Sequence, residues 1–160
     1  MDFFQGVVAD YLRSSRTRFV NAECLIQLTP DNTLLKNAHW YCDFITVDLL
    51  ERTAYLCEVT FARTSNSLLK RLNAWTSQWD QVRAAIVRDC AIPKEWEVKT
   101  WLFLPEASEV SVRVRVEKLL TQHAGVWTIP FPRITTLESI LPWKYRSWNG
   151  TPYDEPNGGI

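Results

Sequence analysis

Two acids, Asp43 and Glu58, stand inside otherwise apolar runs of the stretch CDFITVDLLERTAYLCEVTFAR, from Cys42 to Arg63. The runs Trp40 to Val47 and Ala54 to Phe61 read as two β-strands joined through Asp48 to Thr53. If the hairpin closes symmetrically about Leu50 and Glu51, then Val47 faces Ala54, Ile45 faces Leu56, and Asp43 faces Glu58. Side chains opposed on one face of a sheet hold their Cβ atoms about 4.5–5.5 Å apart. Two carboxylates that close repel, and one keeps its proton unless a cation lies between them. A divalent metal is the simplest such cation, because hard ions take carboxylate and carbonyl oxygens. The Val59 carbonyl is then a third donor. A plainer reading gives each acid to solvent at a strand edge, or to a salt bridge with Arg52 or Arg63.

These acids need a scaffold. Phe3 to Ser14 has helical spacing, with Phe4, Val7, Val8, Tyr11 and Leu12 on one face and Asp2 as its cap. Phe19 to Leu28 alternates well enough for a strand. A turn follows at Thr29-Pro30-Asp31-Asn32. Beyond the hairpin, Leu68, Leu72, Trp75, Trp79, Val82 and Ile86 step by four and three, which predicts one helix of several turns. Trp96 to Leu104 alternates as a strand and ends at Pro105. Ser108 to Gln122 carries both a strand-like valine alternation and helix boundary signals, and helix is the preferred assignment. Val126 to Phe131 is expected as a short strand, and Thr135 to Glu138 as the start of a short helix. The resulting fold class is α/β, a central mixed β-sheet flanked by helices, with one parallel crossover through the long helix.

The order helix, strand, strand with Asp43, strand with Glu58-Val59-Thr60, long helix, strand resembles the PD-(D/E)xK nuclease superfamily. The resemblance runs from about Phe3 to Leu104 and implies a restriction-endonuclease-like core, α-β-β-β-α-β. It divides the chain into a nuclease-like domain, 1–132, and a C-terminal extension packed on it, 133–160. It further implies Mg²⁺ or Mn²⁺ held by Asp43 and Glu58 with the Val59 carbonyl, and hydrolysis of a DNA phosphodiester. Some members add an acid from the first helix or near it; Asp10 and Glu23 are the candidates here. The chain departs from the family at Thr60, where the pattern has a lysine. Lys70, early in the long helix, is the first candidate to replace that lysine, ahead of Arg63 and Arg71. Cys42 precedes Asp43 where the family name has proline, a position that tolerates change.

Composition bounds the alternatives. The 160 residues are one domain's worth of chain, and the formal net charge is +0. No global basic excess marks a nucleic-acid binder, so any phosphate-binding surface must be local. Arg13, Arg16, Arg18 and Arg71, with Arg63 and Lys70, would supply one if the first helix ends beside the acids. The four cysteines form no CxxC and only two histidines occur, which argues against zinc. Cys42 and Cys57 could meet across strands, but reduced, buried thiols are expected. The N-terminal MDFFQGVVADYLRSS reads as neither signal nor transit peptide, and no apolar run is long enough to span a membrane, so a cytoplasmic protein is expected. Five glycines and no phosphate-cradling loop disfavour nucleotide-binding folds. Two further readings stay open. One is a catalytically inactive member of the same fold serving as a DNA-binding or assembly subunit, in a homodimer or a larger complex. The other is an unrelated α/β interaction protein.

Overall fold

A computed structural model describes residues 1–30, 40–62 and 64–147. Arg63, the second half of the expected 29–32 turn and the chain after 147 lie outside the described residues. Helix α1 spans Phe3–Arg13 and strand β1 Arg18–Leu25; β2 is Tyr41–Asp48 and β3 Thr53–Val59. Then come α2 (Asn66–Ser77), α3 (Trp79–Asp89), β4 (Glu97–Leu104), α4 (Glu109–Leu120) and β5 (Arg133–Thr136). The five strands lie in the order β1-β2-β3-β4-β5. β2 runs antiparallel to both neighbours, while β3, β4 and β5 are mutually parallel. The class is therefore α/β with a mixed sheet, as expected. Among the described residues, no helix is long and apolar enough to cross a membrane.

Two apolar clusters sandwich the sheet. On one face Leu56, Val98, Leu102 and Leu104 pack under Leu72, Trp75, Trp79 and Val82 of the paired helices and Val112 and Val116 of α4. On the other, Phe44, Tyr55, Cys57, Trp101 and Phe103 pack under Val8, Ala9 and Leu12 of α1. The alternation of Leu102 and Leu104 with Trp101 and Phe103 is the strand period, sending successive side chains to opposite layers. Both parallel connections, β3 to β4 and β4 to β5, place their helices on the same face. Two crossovers of one hand moving in one direction must do so.

Three expectations change. The long helix is two: Gln78 leaves helical geometry at φ −130°, ψ 36°. The hydroxyls of Thr76 and Ser77 both donate to the Asn73 carbonyl, a local bond that competes with the helical ladder. The apolar stripe survives the break because all six of its residues remain buried. The expected strand at Val126–Phe131 is loop, and pairing begins instead at Arg133. Pro130 and Pro132 lack the N–H groups that a ladder needs. That strand, β5, falls in the segment expected as an extension and is hydrogen-bonded into the sheet as a second parallel crossover.

The α1 face is anchored at Trp101, which is fully buried. The Arg18 and Arg133 guanidinium groups lie 5.1 and 4.2 Å from its ring centre, and its Nε1–H donates to Thr135 Oγ1 at 2.9 Å. Arg18 also pairs with Asp48 at 2.8 Å, joining the start of β1 to the end of β2. One indole thus connects β1, β4 and β5. Replacing it with alanine should cost about 3–5 kcal/mol, the range for deleting a buried aromatic, while Trp101→Phe should lose much less. Urea midpoints at constant slope measure both; an alanine variant as stable as wild type would show the cluster to be peripheral.

Candidate functional site

The hairpin register is the one derived from symmetry: Val47 pairs with Ala54 and Ile45 with Leu56. The paired ladder stops at Phe44↔Cys57, one step before the acids. There the Asp43 carboxylate takes over a backbone role, with Oδ2 accepting the Val59 N–H at 2.7 Å. Its Oδ1 accepts from Gln5 Nε2 at 2.9 Å. Pairing of β1 with β2 also skips the step opposite Asp43, where Glu23 adopts a left-handed φ of 53°. Strand β2 therefore bends at Asp43. Phe44 faces the α1 layer, and Cys42, two residues back, faces the other. A straight strand would send both to one side.

Glu58 is 2% exposed, and Arg71 of α2 forms an ion pair with its Oε2. The other oxygen, Oε1, is buried with no hydrogen-bond partner. Burial, and then the Asp43 charge, push the Glu58 carboxyl up to about 8, against the pull of Arg71 and of the Asp43 backbone N–H. Asp43 is raised as well, chiefly by burial, against the Val59 N–H, the Arg71 charge and Gln5. The two acids titrate as a coupled pair, both held above the ordinary carboxylate range.

Helix geometry explains why Arg71, and not Lys70, reaches the acids. At about 100° per residue, Arg71 lies roughly 60° from Leu68 on the border of the buried stripe, whereas Lys70 lies about 160° away. Lys70 is exposed. Thr60 is buried; its N–H donates to the Phe103 carbonyl at 2.9 Å, and its hydroxyl accepts the Ala62 N–H at 3.3 Å. It serves the strand exit and brings no charge to the site. Glu23 is exposed and lies 3.5 Å from the terminal ammonium, and Asp10 is exposed on α1.

The expected cationic patch does not form around the acids. Its condition was that α1 ends there, but α1 begins there: Asp2 and Gln5 form a capping box, and Gln5 continues to Asp43. Arg18 is committed to Asp48, five residues along β2 and so roughly 17 Å from Asp43 at the usual strand rise. Arg13 and Arg16 sit at that same far end of α1. Gln5 was not among the expected site residues, although Asp2-Phe3-Phe4-Gln5 is a readable capping-box signature that fixes where its side chain begins.

Whether this set suits a divalent metal is decided by its atoms. Two carboxylates and nearby backbone carbonyls are the hard oxygens that Mg²⁺ and Mn²⁺ prefer. The unpartnered Glu58 Oε1 is a donor with no other use. Each Asp43 oxygen accepts one hydrogen bond and has a second lone pair free. Among the described residues, no cluster of three or more His, Cys, Asp or Glu side chains is placed to hold a metal, so any site here rests on this pair. Comparison of the chain with protein-family models, curated proteins and solved structures finds no match.

The raised carboxyls set a pH dependence. Unfolded Glu58 loses its proton near pH 4.3, whereas the folded residue keeps it to about 8. Between these values the unfolded chain binds fewer protons, so stability falls as pH rises through the window and levels off above it. Asp43 acts in the same direction. Asp48 and Asp80, whose carboxyls are held low, act at more acidic pH. In chelator-treated buffer, wild-type stability should fall by a few kcal/mol from pH 5 to pH 8, and Glu58→Gln should flatten most of that slope. An unchanged slope in the variant would locate the titration elsewhere.

Proposed function

We propose that the chain is a nuclease-like phosphodiesterase of the restriction-endonuclease type, acting on DNA with Mg²⁺ or Mn²⁺ held between Asp43 and Glu58. The observation that carries the reading is the buried, unpartnered Glu58 Oε1 beside a second carboxylate. Burying an ionised oxygen without a partner is costly, and a cation supplied with the substrate would remove that cost. The element order supports it too, with Asp43 on the second strand, Glu58 on the third and helices before the fourth. A bound ion would supply Lewis-acid stabilisation of the phosphate and a more acidic water. The chain's own residues have distinct tasks. Asp43 is oriented by the Val59 N–H and Gln5. Glu58 would hold the ion as a deprotonated carboxylate. Arg71, from α2 and paired with Glu58, would provide beside the acids the positive charge that Thr60 lacks, the kind of charge that stabilises a phosphoryl oxygen.

One observation favours a second reading. The Arg71–Glu58 pair already supplies a cation, as an inactive member of this fold would need to stabilise its acids permanently.

Thermal unfolding with Mn²⁺ separates the two. The metal reading expects Mn²⁺ to raise Tm, more at pH 8 than at pH 6 because the ion competes with protons. Asp43→Asn and Glu58→Gln should each abolish both the shift and the cutting of DNA. Arg71→Ala should slow cutting while retaining the Mn²⁺ shift. The inactive reading expects no Mn²⁺ shift in wild type, with Arg71→Ala destabilising more at pH 9 than at pH 6, because only above about pH 8 does Glu58 ionise and need its partner.

A further inference from the structure

The four cysteines are free thiols, and Cys24 on β1 stands directly opposite Cys42 on β2. Opposed residues of an antiparallel pair have Cα atoms about 4.5 or 5.5 Å apart, inside the roughly 4.4–6.8 Å span that a disulfide bridges. Both side chains turn to the same layer: Cys42 belongs to the cluster under α2 and α3, and Cys24 packs against it. The Cys42 Sγ–H approaches the Cys24 carbonyl at 3.9 Å. They differ in access, Cys24 being half-buried and Cys42 only 2% exposed. The approach of Cys42 to Cys57 that the sequence left open does not arise, because Cys57 belongs to the α1 layer.

We propose that Cys24 and Cys42 are a redox-active pair that closes to a cross-strand disulfide on reaction with a hydroperoxide. Cys24, the accessible member, attacks the peroxide oxygen; the O–O bond breaks, leaving a sulfenic acid on Cys24 and releasing water or an alcohol. Cys42 then attacks the Cys24 sulfur, the S–O bond breaks, and a second water leaves with the Cys42 proton. Two electrons pass from the thiols to the peroxide, and a dithiol reductant returns them. The exposed thiol is the attacking residue and the buried one the resolving residue. Closure ties β1 to β2 at the step next to Asp43, where the ladder is already interrupted.

The pair stands apart from the metal reading and is tested without it. The reduced chain is treated with stoichiometric hydrogen peroxide, unfolded, alkylated and mapped by mass spectrometry. The expected result is loss of two alkylatable thiols, a mass lower by about 2 Da before alkylation, and one linked peptide joining Cys24 to Cys42 that dithiothreitol reverses. Cys42→Ala should leave Cys24 as a sulfenic acid that dimedone traps. Cys24→Ser should leave Cys42 unmodified at the same dose. Wild-type mapping needs no variant to fold. A link involving Cys57 or Cys90, or Cys24 carried to sulfinic acid with Cys42 still free, would overturn the proposal.

Discussion

A carboxyl group enclosed by apolar layers must have a proton, a fixed cation or a bound ion, and Glu58 has to choose among the three. Its strand, β3, is central, with neighbours on both sides and helices above and below. Arg71 satisfies one oxygen and leaves the other bare. A guanidinium offers several N–H donors in a plane, so a single-oxygen contact leaves much of its capacity unused. The pair is therefore not a closed structural unit, which distinguishes it from Arg18 and Asp48. There the carboxylate also takes the Leu50 and Glu51 N–H groups and caps the hairpin turn.

The same enclosure explains how distant elements come to bear on the acids. Asp43 interrupts its own strand to accept a β3 N–H, and this bend exposes its second oxygen to Gln5. Gln5 is simultaneously the N3 member of the α1 capping box, its Oε1 accepting the Asp2 N–H at 3.0 Å. The first turn of α1 and the position of Asp43 are thus joined by one amide side chain. On the opposite layer, the position of Arg71 depends on α2, whose apolar stripe presses Leu72 and Trp75 onto the sheet. The acids lie just past the end of the β2–β3 ladder, between elements of the two layers.

Much of this was legible in the sequence. The hairpin register followed from counting outward from Leu50 and Glu51, because strand alternation fixes which residues face each other once the turn is placed. Asp43 was placed beside Glu58 on that count, although its bend was not, since nothing in CDFITV marks a break in the ladder. The division of the long helix at Gln78 was hidden by an apolar stripe that runs through it unbroken. The strand misplaced to Val126–Phe131 looked apolar enough, and Pro130 and Pro132 were the signal against it. The arginine patch failed for a different reason. Local pattern fixes that α1 is a helix but not which end meets the sheet's acidic end, and only tertiary packing decides that.

That polarity shapes how the neutral charge total is distributed. At the far end of the sheet, Arg18 and Arg133 are drawn onto Trp101, and Arg133 also pairs with Glu51 at 3.0 Å. The Tyr55 hydroxyl donates to the same Glu51 carboxylate, and burial with that bond pushes the phenol up to about 12. Positive charge there is spent on aromatic faces and paired acids. At the near end, two carboxyls held above their ordinary range face one guanidinium, and the balance can shift. Arg71 touches Oε2, and Oε1 is buried without a partner. On the metal reading, a cation would gain Oε1 as a ligand without evicting the arginine from Oε2.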